Sequence, residues 1–289
     1  DAASANIANA STVGYTRKIF HQESVTVGNT GFGVRPVALT RIVDRALLAD
    51  INRQVSSTEG QARRFQYLDR IQAFHGATDS GQAISAKMSA LSNAFTQLSS
   101  SPSDTILLNQ VITAGQQLTG KINTFSNMIT SMRIDAEREI ATGIEAVNQA
   151  LVTVAALNSD ITRYAGMGQS IADLEDKRDL AIKTIAKYID ITTYSSGHEI
   201  SIVTRNGQSL LEGNVRSLHF TVSNILPSNY YPGGGLSGIT LDSPGGFDIT
   251  NTGLGGQLGA LIDLRDNTLP QYMAQLDETA QKMAERFSK

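Results

Sequence analysis

No cysteine and no tryptophan occur anywhere in the sequence. The first absence removes disulfides, thiolate zinc sites and cysteine nucleophiles together. Aromatic residues are scarce as well, at 6%, so a core must be mostly aliphatic. The net charge of -3 comes without any cluster of Lys and Arg, and a phosphate-binding surface needs one, which argues against nucleic acid as a partner. Nor is the balance acidic enough for a disordered tail. No apolar run approaches the ~18 to 20 residues of a membrane-spanning helix, since Ala150 to Leu157 is soon followed by Asn158 and Asp160. A membrane is therefore not expected among the partners. The first residues show neither the basic start and apolar run of a secretory signal nor an initiator Met, and the chain is expected to lack its true beginning.

What is present is helical periodicity. Pro36 is followed by Leu39, Ile42, Val43, Ala46, Leu47 and Ile51, the spacing of an amphipathic helix opened by an N-terminal proline. The polar patch around Gly60 weakens this helix before Phe65, Leu68 and Ile71 resume its stripe. A second helix is expected from about Ser80 to Ser99, with Ile84, Met88, Leu91, Phe95 and Leu98 alternating in fours and threes; Ser101-Pro102 stops it. From Ser103 to about Tyr164 there is no proline, and a heptad-like stripe runs from Leu118 through Phe125, Met132, Ile140, Val147 and Val154 to Ile161. If helical throughout, about 60 residues at ~1.5 Å each make a rod on the order of 90 Å. Gly115, Gly120 and Gly143 are candidate bends.

After a helix from about Ile171 to Lys187 the period changes to two, with Ser-Gly and Asn-Gly turn signals that predict consecutive β-hairpins. The Asn206-Gly207 pair suits a turn with two positive-φ residues. Further strand is expected over Arg216 to Val222 and Gly238 to Ile249, around a glycine-rich loop. From Gly256 the helical stripe returns through Leu258, Leu261, Leu269, Met273, Leu276, Met283 and Phe287 and stops without a cap, which is expected of a truncated element. The predicted fold class is mainly α: an elongated bundle of long helices with a small inserted β-rich unit. Its predicted parts are an N-terminal motif and extended connector (1–35), a long-helix bundle (36–188), a β-rich insertion (189–254) and a returning, truncated bundle helix (255–289).

Little in this sequence points to catalysis. His21, His75, His198 and His219 lack metal-ligand spacing. The glycines from Gly253 to Gly259 fail the dinucleotide pattern, because Leu258 stands where its third glycine belongs. The run LEDKRD, Leu174 to Asp179, reads as a solvated helix face carrying i, i+4 charges rather than paired catalytic acids. Asn9-Ala10-Ser11 matches a glycosylation sequon, a pattern too short to carry weight alone. No catalytic residue, cofactor site or metal site is assigned, and the chain is not expected to be an enzyme.

The opening stretch NIANASTVGYTR, Asn6 to Arg17, is different in kind. It is small and polar, without helical or strand period, and its residues favour local side-chain-to-backbone bonds. That composition suits a joint or a docking segment. It resembles the N-terminal motif shared by axial proteins of the bacterial flagellum, in which Asn-Ile-Ala-Asn leads to Gly-Tyr and a basic residue. Asn6, Ile7, Ala8, Asn9, Thr12, Gly14, Tyr15 and Arg17 match; Ser11 and Val13 depart from the usual residues. The helix Leu258 to Ala284, with Leu264, Arg265, Asp266, Leu269 and Pro270, is similar to that of the flagellar hook-associated protein 1 family, as are LEDKRD and the hairpin near Gly207.

The resemblance implies a structural protein, exported through the flagellar type III apparatus to the extracellular flagellum, where it self-assembles at the junction of hook and filament. Implied partners are copies of itself, hook protein, hook-associated protein 3 and an export chaperone whose site is expected in a missing C-terminal part. It also implies that Asn6, Ile7, Asn9, Thr12, Gly14, Tyr15 and Arg17 serve assembly, the first ~20 residues being ordered by neighbouring subunits. Tyr15 has two readings, an interface residue or a residue packed on its own bundle, and so have the heptad stripes. The alternatives are another axial protein, hook-associated protein 3 or hook protein, and a secreted helical adhesin or enzyme.

Overall fold

The computed structural model describes residues 2–27, 30–76 and 81–287, with side chains at all of them except 21–38 and 287. A short helix α1 (Ala2–Ala8) precedes an antiparallel pair, β1 (Lys18–Val27) and β2 (Thr30–Arg41), and then α2 (Arg45–His75). The helix read as starting at Pro36 is thus a strand up to Arg41. Two irregularities break the β1–β2 register, one of them where Phe20 pairs with Leu39 but Gln22 with Pro36. Pro36 sits at that bulge, on a two-stranded sheet, where a missing N–H is tolerated. The helix begins instead where Asp44 can cap it: Asp44 Oδ1 accepts the N–H groups of Ala46 and Leu47 at 2.9 and 3.1 Å.

Helix α2 runs unbroken through the patch around Gly60. A side chain there would stand 2.7 Å from the carbonyl oxygen of Gly256, so the glycine serves a close backbone approach. Next come α3 (Ile84–Ser100) and α4 (Thr105–Gly166), a single helix of 62 residues. Ser80, the expected start of α3, lies outside the described residues. Asp104 caps α4 as Asp44 caps α2, accepting from Ile106 and Leu107, while the positive φ of Gly168 lets the N–H of Gln169 return to the Tyr164 carbonyl. Gly115, Gly120 and Gly143 do not interrupt it. One window of α4 has a mean hydropathy of 1.4 and would pass for a membrane span by length and composition; the apolar stripe of α4 is instead buried core.

Helix α5 (Ala172–Tyr188) leads to a four-stranded antiparallel sheet in the order β3 (Ile191–Ser196), β4 (Glu199–Thr204), β5 (Ser209–Glu212), β6 (Asn214–Val215). The β4–β5 turn differs in type from the one expected. Only Gly207 has positive φ, at 84°, and its N–H bonds to the Thr204 carbonyl. That is a type I turn with a glycine bulge, so Asn206 needs no left-handed conformation. A three-stranded sheet follows from β7 (Leu218–His219), β8 (Thr240–Leu241) and β9 (Phe247–Asp248). The strand expected over Arg216 to Val222 shrinks to two residues, and the Asn148 side chain pairs with both backbone groups of Leu218 at 2.8 Å each. The stretch Gly238 to Ile249 likewise holds only β8 and β9.

The last helical stretch is α6 (Gly256–Asp263), a π-turn over Leu264–Thr268, and α7 (Leu269–Phe287). Pro270 cannot donate to the carbonyl four residues back, and its ring crowds that position. The wider turn, with Leu269 N–H bonding to Leu264 O, lies directly before it.

The chain divides into two units. The first comprises Asp1–Gln61, Ile140–Thr221 and Gly238–Ala260; its core contains Ile144, Val147, Leu151, Val154 and Ile161 of α4 with Ile182, Ile185, Ile202 and Leu210, all buried. The second comprises Ala62–Glu139, Val222–Ser237 and Leu261–Lys289. In it Tyr67, Ile71, Leu91, Leu118, Phe125, Ile129, Met132 and Leu276 are buried on four helices. Each such side chain contributes roughly 1.5–3 kcal/mol by leaving water, which no propensity term within a helix matches. The stripe spacing is therefore what selects these faces.

Candidate assembly site

Residues Asn6 to Arg17 lie in the first unit, and Asn6 organises them. Its side-chain oxygen accepts the Tyr15 hydroxyl and the Lys18 N–H, both at 2.9 Å, and its amide donates to the Lys18 carbonyl at 2.8 Å. Asn6 thus imitates a strand neighbour and ties α1 to the start of β1. Asn9 donates from its amide to the Ala5 carbonyl and accepts from the Thr12 hydroxyl, which closes the turn between. Gly14 has φ of 83°, and a Cβ there would meet the Leu180 side chain at 2.5 Å; both conformation and space require glycine. Tyr15 is half-buried, with the Lys18 ammonium 4.2 Å from its ring centroid. Ile7 and Val13 are exposed, at 78% and 77%, and Arg17 is exposed while its carbonyl accepts from Ile42 N–H.

The next link is to α5. Thr16 donates its N–H and its hydroxyl to the two oxygens of Asp176. Lys18, 4% exposed, pairs with Asp173 and stands 3.3 Å from Asp176. Arg41, at the far end of β2, pairs with Glu175 at 2.9 Å, with Asp176 at 3.3 Å and with Asp179. Arg178, on the same helix, donates to Asn158 and to the His198 carbonyl. The α5 run read as a solvated face is therefore mostly covered, and its partners include two cations from the β1–β2 hairpin besides the neighbouring pair Glu175–Arg178 at 3.8 Å. Burial pulls the Lys18 ammonium down, but hydrogen bonds to Asp173 and Asp176 and their charges outweigh it, so the group stands above its usual range. Arg41 is held up in the same way by Asp179, Glu175 and Asp176 against its own desolvation.

The segment that the motif marks for ordering by neighbouring subunits also makes contacts within its own chain. Its own chain supplies partners for Asn6, Asn9, Tyr15 and Thr16, while the apolar residues Ile7 and Val13 face outward. Lys18, Arg41 and Asp176, which hold the segment, were not among the residues marked by the motif. Only the charge run LEDKRD signalled α5, and no local pattern pairs it with residues about 135 to 160 positions away.

A second buried charged cluster lies in the other unit. Arg265, fully buried in the π-turn, donates to Glu137 at 2.7 Å, to Asp266 and to the Ser237 carbonyl. Glu137 also accepts the Ser223 N–H, and Arg133 donates to the carbonyls of Arg265, Leu226 and Asn229. These bonds tie the irregular segment Val222–Ser237 to α4. Desolvation lowers Arg265, but Asp266 and Glu137 more than restore it, whereas Arg133 is left below its usual range by burial. Among the described residues no group of three or more His, Asp or Glu side chains could hold a metal ion. Of the histidines, His75 packs against Phe74 and Phe125, His198 lies in the β3–β4 turn and His219 in β7; the side chain of His21 lies outside the described residues.

Long helices, small sheets and buried charges that tie segments together define the class: a mainly α-helical protein. The model of the flagellar hook-associated protein FlgK helical domain matches residues 68–289, and the chain belongs to that family of the bacterial flagellum. It is 23% identical to flagellar hook-associated protein 1 of Escherichia coli (strain K12), over 99% of this chain and 53% of the relative. It is likewise 23% identical to the protein of that name from Bacillus subtilis (strain 168), over 98% of this chain and 62% of the relative. The chain thus spans little more than half the length of these curated relatives. The solved structure of the flagellar hook junction protein FlgK from Burkholderia pseudomallei shares the fold, with a TM-score of 0.65 and 20% identity over 80% of this chain and 40% of that one.

Proposed function

We propose that the protein containing this chain is a structural, non-catalytic component of the junction between flagellar hook and filament, exported through the flagellar type III apparatus and assembled with copies of itself, hook protein and hook-associated protein 3, an export chaperone binding outside residues 1–289. The observation that carries the reading is the family match over residues 68–289. In this reading residues 1–41 are the assembly segment, the long helices lie over 45–188 and 256–287, and 189–254 carry the small sheets. The motif residues Asn6, Ile7, Asn9, Thr12, Gly14, Tyr15 and Arg17 then divide by role. Asn6, Asn9, Thr12, Gly14 and Tyr15 shape the segment through the bonds described above, and Ile7, with Val13 and Arg17, is presented to neighbours.

The test uses the full-length protein in its own bacterium. Ile7→Asp with Val13→Asp changes two exposed side chains, so the unfolding free energy should stay within about 0.5 kcal/mol of the parent, while motility and filament growth fail. Normal swimming by this variant would remove the exposed face of the motif from the assembly surface.

A further inference from the structure

A cavity of about 280 Å³ lies in the first unit, beside the motif loop and the start of α2. It is large enough for several waters or one oxyanion, since a water takes roughly 30 Å³. Its charged lining is Arg41, Arg45, Arg178 and Lys183 against a single acid, Asp179. Arg41 is matched by Glu175, Asp176 and Asp179, and Arg178 stands 3.8 Å from Glu175. Arg178 is buried, and its Nε has no hydrogen-bond partner. Burial pulls its guanidinium below the usual range, Glu175 and Asp179 push back, and the nearby Arg41 and Arg45 deepen the fall. Exposed Arg45 and half-buried Lys183 make no ion pair among the described residues. The Gly14 backbone, bare of any side chain, completes the wall.

We infer that this cavity is a binding site for an oxyanion, a carboxylate or phosphate group, held by Arg45 and Lys183 with the charge of Arg178 behind them. With Arg41 matched by its own carboxylates, Arg45 and Lys183 leave a local positive potential that a partly apolar wall strengthens. The group has two sources, an acidic side chain of a second copy of this chain or a free anion. The inference does not depend on the junction reading.

Inorganic phosphate titrated into the full chain at low ionic strength, followed by calorimetry and by the amide resonance of Gly14, should show saturable binding. Arg45→Gln with Lys183→Gln should leave the melting midpoint unchanged, because neither side chain makes an ion pair among the described residues, and weaken phosphate at least tenfold. Sedimentation velocity separates the sources. Self-association that phosphate displaces and the double variant loses would assign the site to a carboxylate of a second copy. Phosphate binding by a chain that stays monomeric would assign it to a free anion. No saturable binding, or equal binding by the variant, would overturn the site.

Discussion

Asp176 on α5 takes both the N–H and the hydroxyl of Thr16, a residue 160 positions earlier in the chain. The same carboxylate stands 3.3 Å from Lys18 and from Arg41, so one side chain joins the motif, β1 and β2 to the helix. Asp176→Asn keeps the shape and removes the charge. Lys18 and Arg41 would retain Asp173, Glu175 and Asp179, which limits the expected loss to about 1–3 kcal/mol. Urea unfolding should report that loss, and amide exchange at Thr16 and Lys18 should rise more than the global change requires. Unchanged exchange would mean that Asp176 does not hold the segment.

Gly14 offers a cleaner separation of causes. Gly14→Ala should cost about 1–2 kcal/mol for the left-handed backbone alone, and more because its Cβ meets Leu180. Adding Leu180→Ala should recover the contact part and leave the backbone part. A melting midpoint unchanged in the single variant would contradict the geometry of this loop.

In the other unit the pair Glu137–Arg265 is 1% and 0% exposed. Glu137→Ala removes one of the two carboxylates that hold the buried Arg265 guanidinium, Asp266 being the other, and should destabilise by roughly 1–3 kcal/mol. The double change Glu137→Ala with Arg265→Met should cost less than the two single changes summed, although it leaves the Asp266 carboxylate without its guanidinium. Additive losses by differential scanning calorimetry would show that the two side chains do not act as a pair.

How much of this could be read beforehand depends on range. Stripes at helical spacing located α4 to within two residues at each end, because buried faces such as Ile140–Ile144–Val147–Leu151 repeat within one element. The β1–β2 hairpin escaped, since Pro36 followed by Leu39 and Ile42 mimics a helix start; the bulge that admits Pro36 depends on a partner strand. The π-turn before Pro270 was readable only as a helix. Within the candidate site, Asn6 and Tyr15 stand close in sequence and belong to one motif, whereas Lys18, Arg41 and Asp176 come together only through folding. Charge runs carry no mark of the cations they will meet.

The elevated Lys18 ammonium makes a prediction about pH. Its folded value lies above the ordinary 10.5, so its contribution is complete below about pH 10 and is lost as the pH rises through the folded value. Between pH 7 and 10 the loosening of β1 should not change on this account. Lys18→Met should abolish the alkaline step in amide exchange of residues 18–20, and an identical step in parent and variant would assign it to another group.

The central claim concerns the bacterium rather than the isolated chain. Electron microscopy of cells lacking the full-length protein, with flagellin measured in the medium, tests it most directly. The account predicts completed hooks without filaments and flagellin shed outside, both reversed by restoring the protein. Filaments of normal length on the hooks of the deletion strain would contradict it.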